Sequence, residues 1–218
     1  MNHYLVLLFQ YIIIILSAII HEYAHGWMAY REGDPTAKYA GRLTLNPLAH
    51  IDLWGTVLMP LILLFGFGFF FGYAKPVPIN PNNFRNQRRG LILVSFAGVA
   101  ANFLIAILIG LGLRFFPSFF FSSQFNVLTD NGIIFNPWIW IIFINIWLGL
   151  FNLIPVPPLD GSKLLFGFLA GRAGRAVEFL RGAGSWFGII IALLVAFTFL
   201  PYLANFIFRL ITGGNIGI

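Results

Sequence analysis

Cysteine is absent from this 218-residue chain, which removes disulfides, thiolate metal ligands and thiol nucleophiles from consideration. Any metal site has to be built from histidine and carboxylate. Charge is nearly as scarce. Asp, Glu, Lys and Arg make up 9% of the residues, where a soluble domain carries about 25%. Hydrophobic residues reach 59% at a mean hydropathy of +0.87, the composition of a membrane protein. Basic residues outnumber acidic ones, 13 to 7, but they lie in short stretches between apolar runs and form no basic domain. That distribution fits the positive-inside pattern of a membrane protein and argues against a nucleic-acid partner. No cleavable leader is expected either: the apolar stretch Leu5 to Ile20 lacks a preceding basic region, and ionisable residues follow it.

What is present is a series of apolar runs of spanning length. They predict an all-α polytopic membrane protein of about five to six membrane helices or helix pieces. The runs cover residues 4–30, 53–73, 91–113, 137–154 and 184–211, with Pro201 dividing the last. The expectation is one membrane-embedded domain over 1–218, with a core at about 4–165 and C-terminal helices at about 162–212. Between the first two core helices, Arg42-Leu43-Thr44-Leu45 alternates as a short β-strand would, and the prolines of "AKPVPINP" favour an extended edge-like segment. Either could offer an edge to an unwound substrate.

Lys and Arg gather in residues 31–42, 75–89 and 163–181, whereas 115–136 contains none. If 53–73 crossed the membrane, the first two clusters would face opposite sides. A re-entrant element there puts all three on one side, which the positive-inside rule assigns to the cytoplasm. Irregular backbone at membrane depth is tolerated where protein or an aqueous cavity surrounds it.

The costliest feature is "SAIIHEYAHGW", residues 17–27, where three ionisable side chains sit at the end of an apolar helix. Ionisable residues in such a helix mark a functional site by default. His21 and His25 are four apart, on one helix face about a turn apart, and can present both imidazoles to one metal ion. Glu22 completes H-E-x-x-H, in which the carboxylate is the general base. A catalytic zinc site takes three protein ligands, so one more is needed. Glu32, Asp34, Asp52, Asp130, Asp160, Glu178 and His50 are the candidates. Asp160 stands out because "FNLIPVPPLDG" breaks a long apolar helix with prolines and can turn an acid inward at membrane depth. It could equally cap a helix starting at Ser162.

The pair "HEYAH" and "NLIPVPPLDG" resembles the site-2 protease family of intramembrane zinc metalloproteases, whose second signature places an Asn eight residues before the Asp of Asp-Gly; Asn152 and Asp160 match that spacing. "NPLAHIDLWGT" and "AKPVPINP" are similar to segments of its compact bacterial branch, which lacks PDZ and CBS modules. "AGVAANF" resembles a further motif of the family, with Val99 where proline is usual. The resemblance implies one Zn2+ per chain held by His21, His25 and Asp160, with Glu22 as catalytic acid and base. It implies hydrolysis of transmembrane protein substrates in a bacterial cytoplasmic membrane, with the site toward the cytoplasmic side. Selectivity would then come from the membrane part or a partner.

Asn152 could hydrogen-bond a developing oxyanion or the substrate backbone, or could join helices as Asn145 is expected to. Asn102 is open to both readings, and His50 is a candidate for orienting the site. A metal-bearing transporter would also explain buried polar residues and broken helices, but it has no need of Glu22 directly after a ligand.

Overall fold

The computed structural model describes residues 3–67, 72–122, 126–128, 134–169 and 184–214. The architecture is all-helical. Helix α1 (His3–Glu32) is continuous for 30 residues, roughly 45 Å at 1.5 Å per residue. It ends at Gly33, whose φ of +113° lets Asp34 N–H close back on Ala29 O at 2.9 Å. A short α2 (Thr36–Tyr39) follows.

The apolar run at 53–73 opens with a six-residue π-helical stretch (Leu53–Leu58) and continues as α3 (Met59–Phe67). The chain then returns to its starting point: Tyr73 N–H donates to Gly55 O at 3.2 Å, and Thr56 Oγ1 donates to Tyr73 O at 2.8 Å. The ends of the run are therefore neighbours, the geometry of a hairpin.

Helix α4 (Gln87–Phe115) starts at Asn86, whose side chain accepts from Arg89 N–H. Phe116 breaks it from the short α5 (Pro117–Phe120). Helix α6 (Pro137–Leu153) begins with proline at its first position and Asn136 capping both Trp138 N–H and Ile139 N–H. The proline-rich break leads into α7 (Asp160–Phe168). Helices α8 (Gly184–Thr198) and α9 (Leu200–Thr212) meet at Phe199 with a 52° bend just before Pro201.

Helix α4 is the hub and packs on α1, α6, α7 and α9. Ala106 and Leu113 of α4, Ile142 and Ile146 of α6, and Ala204 and Phe208 of α9 form a closed apolar core. Glycines bring the backbones close, as where Gly149 sits against the Phe103 ring; in lipid, such van der Waals packing replaces the hydrophobic drive between helices. The outer faces are apolar too: Leu5, Leu8, Ile12 and Leu16 on α1, and Leu104, Leu108 and Leu111 on α4, are exposed. That surface fits a hydrocarbon environment. By length and composition α1 and α4 can each cross a membrane, and the bent α8–α9 pair makes a third crossing if counted as one span.

The expected strand at 42–45 does not form. Gly41 turns the chain at φ +65°, Thr44 Oγ1 accepts from Asn46 N–H, and Arg42 spends its guanidinium on the carbonyls of Lys75 and Pro76. These local bonds compete with a ladder and win. Among the described residues the one ladder is the two-residue pair β1 (Val127–Leu128) and β2 (Ile134–Phe135), between α5 and α6. Residues 74–80 are extended but unpaired by any strand. Residues 170–183 of the expected C-terminal helices at about 162–212, and the candidates Asp130 and Glu178, lie outside the described residues.

Candidate metal centre

Helix α1 presents His21 and His25 toward α4 and the start of α7, and all three side chains of the cluster they form with Asp160 are buried. His21 Nε2 lies 3.0 Å and His25 Nε2 2.9 Å from Asp160 Oδ2, and the two Nε2 atoms lie 2.9 Å from each other. Asp160 does not cap a helix at Ser162. It is itself the first residue of α7, after Leu159, and its carboxylate points at the histidines. Gly161 makes the approach possible, since a Cβ there would fall 2.3 Å from Leu153 O.

The outer nitrogens settle the protonation. His25 Nδ1 faces Val94 O at 2.6 Å, and His21 Nδ1 faces Asn102 Oδ1 at 2.6 Å. A carbonyl or amide oxygen accepts only, so each Nδ1 carries a proton and each Nε2 is the nitrogen turned to the shared point. The amide assignment is secured by the rest of the network: Asn102 Nδ2 donates to Asn145 Oδ1 at 2.9 Å, and Asn145 Nδ2 donates to the Ile141 carbonyl, which can only accept, and to Ser17 Oγ, each at 2.9 Å. Two ring nitrogens and a carboxylate oxygen thus converge within 3.0 Å of one another. Two histidines and a carboxylate offering one atom each to a common point are a donor set that zinc accepts.

Gly98 of α4 faces the same point. A Cβ on it would lie 2.6 Å from both Nε2 atoms, so the space beside the donors exists because residue 98 has no side chain. The residues present therefore fit a bound metal ion.

Glu22 is half-buried on the same helix, and its Oε2 accepts from Val77 N–H at 2.8 Å. Val77 belongs to the extended segment 74–80, which is laid across α1 with the Val77 side chain against Gly26. Pro76 and Pro78 have no N–H, Lys75 N–H donates to His50 O at 2.9 Å, and Val77 N–H is on Glu22. Every backbone donor from 75 to 78 is thus consumed internally, and the expected edge for a substrate strand is turned inward at these residues.

Asp34 pins the far end of this strap. Fully buried, it accepts from Asn80 N–H and Asn83 Nδ2, each at 2.7 Å, from Thr36 N–H at 3.1 Å and from the Thr36 hydroxyl. Burial alone would raise its pKa, but these donors together outweigh it and hold the carboxyl below the ordinary aspartate value. His50, also buried, donates from Nε2 to Thr44 O at 2.8 Å and ties the 44–50 loop to the strap. It is not among the converging donors. Asn152 donates to Leu148 O within α6 at 3.0 Å, so Asn102 is the asparagine that the fold brings to the histidines.

Sequence reasoning passed over Gly98, Ser17, Val77 and Lys163, whose Nζ lies 2.8 Å from Asp160 Oδ1. Two of them carried a signal: Lys163 stands three residues after Asp160 on one helix face, and Gly98 lies within "AGVAANF".

An apolar helical bundle with a buried His-His-carboxylate cluster next to a glutamate defines a membrane metalloenzyme. The description "Peptidase family M50" matches residues 9–197, and the chain belongs to that family of metalloproteases. Similar proteins are named as zinc metalloproteases. YwhC of Bacillus subtilis (strain 168) is 39% identical over 165 residues, covering 75% of this chain and 71% of its own. Rip2 of Mycolicibacterium smegmatis is 30% identical over 198 residues, covering 90% and 69%. No solved structure matches the chain.

Proposed function

We propose that this chain is an intramembrane zinc metalloprotease that hydrolyses peptide bonds in or near transmembrane segments of other membrane proteins. His21, His25 and Asp160 hold the zinc through Nε2, Nε2 and a carboxylate oxygen. Zinc, when bound, supplies a Lewis acid that activates water and polarises the scissile carbonyl. Glu22 takes a proton from the attacking water and returns it to the leaving amine. Val77 N–H holds Oε2 and leaves Oε1 for that proton. Asn102 and Val94 O keep the imidazoles oriented, and Asn145 with Ser17 backs Asn102. His50 contributes by fixing the strap that carries Val77. Asn152, half-buried at the end of α6, is left to contact substrate backbone.

The observation that carries this reading is the convergence of His21, His25 and Asp160 beside a side-chain-free Gly98, with Glu22 next to His21 in the chain. The hairpin closure at Gly55 and Tyr73 supports a re-entrant 53–73 segment in a bundle of about five to six membrane helices or pieces, formed as one domain. With it, the basic clusters and the site lie toward the cytoplasmic face of a cell membrane.

The test uses wild type and Glu22→Gln, purified and reconstituted with a model transmembrane substrate, with zinc content measured in parallel. Equal zinc and cleavage by wild type alone is the expected result. Equal substrate loss in both would overturn the mechanism.

A further inference from the structure

The two oxygens of Asp160 have different surroundings. Oδ2 faces both histidine Nε2 atoms, at 3.0 and 2.9 Å, whereas Oδ1 accepts from Lys163 Nζ at 2.8 Å. The carboxylate is nearly enclosed, with its side chain 7% exposed, while the lysine side chain is 50% exposed and reaches in from outside. Asp160 and Lys163 are the first and fourth residues of α7, on one face. The start of that helix is fixed by the fit of Gly161 against Leu153 O and by Ser162 Oγ donating to Leu159 O at 2.7 Å. Neither partner has to move for the pair to form.

We infer that Lys163 is a positioning residue that makes Asp160 a one-oxygen ligand; the inference rests on the zinc reading above. A free carboxylate can offer a metal one oxygen or both. With Oδ1 committed to the Lys163 ammonium, only Oδ2 is presented to the side where His21 and His25 converge. Three protein donors then leave a fourth position for water or the scissile carbonyl, the open arrangement that a catalytic zinc needs. If both oxygens bound, that position would be crowded by the protein itself. Lys163 acts here through Asp160 and has no role as a proton donor.

A plain Coulomb effect predicts the opposite sign, which makes the inference testable. A cation beside a metal site repels a dication, so removing the charge should tighten zinc binding. Removing a partner that orients a ligand should loosen it, by about 10-fold or more.

The experiment compares wild type, Lys163→Met and Lys163→Arg in detergent. Zinc affinity is measured by competition with a chromophoric chelator, and the visible absorption of the cobalt(II)-loaded protein is recorded. Four-coordinate cobalt absorbs more strongly than five-coordinate cobalt. Lys163→Met is expected to bind zinc about 10-fold more weakly and to give weaker cobalt bands, and Lys163→Arg to restore both. Lys163→Gln takes the place of Lys163→Met if that variant does not survive purification. Wild-type affinity and spectrum in the neutral variants, or tighter zinc, would overturn the inference and leave the zinc reading standing. Failure of wild type itself to bind one zinc would overturn both.

Discussion

Asn102 Oδ1 lies 2.6 Å from His21 Nδ1, and because that oxygen can only accept, it decides which imidazole nitrogen is left to bind a metal. The amide is itself held, through Asn145, by Ser17 one turn before His21. The chain of four polar side chains, His21, Asn102, Asn145 and Ser17, thus begins and ends on α1.

Replacing Asn102 with Leu removes that acceptor and leaves His21 free to change tautomer and rotate. Zinc affinity should fall by about 10- to 100-fold, measured by chelator competition, while Asn152→Leu should leave zinc affinity at the wild-type value.

Gly98→Ala places a methyl group 2.6 Å from both Nε2 atoms, where metal and water would have to be. The variant is expected to keep its helical circular dichroism, since alanine favours a helix over glycine by about 1 kcal/mol. It should purify without zinc. Zinc at one per chain in this variant would place the metal elsewhere.

Asp34 makes an acid-sensitive clamp. Its pKa is depressed in the fold, so the unfolded chain binds the proton more readily and stability rises with pH through this range. The contribution is fully present above the unfolded value of about 3.9 and fades as pH drops through the lower folded value. Thermal melts between pH 3 and pH 6 should show that slope, and Asp34→Asn should flatten it. The same variant should lose about 1–3 kcal/mol at neutral pH, because the buried donors around it lose an acceptor.

The absence of cysteine makes topology directly measurable, with single cysteines at Leu53 and Lys75 as the only thiols. Both positions are exposed. They should label with a membrane-impermeant maleimide from one and the same side, and labelling from opposite sides would mean that 53–73 crosses the membrane.

The long helices were legible because a spanning run needs only about 20 apolar residues; the break at Pro201 followed from its missing N–H. The convergence of His21 and His25 could be read from helical spacing, and that of Asp160 from the proline break before it. The strand at 42–45 misled because alternation says nothing of Arg42 reaching the Lys75 carbonyl or of the turn at Gly41. Gly98 stood inside "AGVAANF" without its role being legible, and Ser17 and Val77 could not be read at all, since each acts through a contact that has no local trace. Val77 contributes only its backbone, which a sequence does not distinguish from any other.

On α4, Val94, Gly98 and Asn102 are spaced four apart, facing His21 and His25, also four apart, on α1. Sliding α4 by one residue, about 1.5 Å along its axis, would strip both imidazoles of their acceptors and push a side chain into the place kept clear by Gly98. The centre is in that sense a vernier between two helices. A chain whose helices pack one step out of register would bring neither the two imidazoles nor the cleared space to one point, so assembly of the bundle and assembly of the centre are a single event.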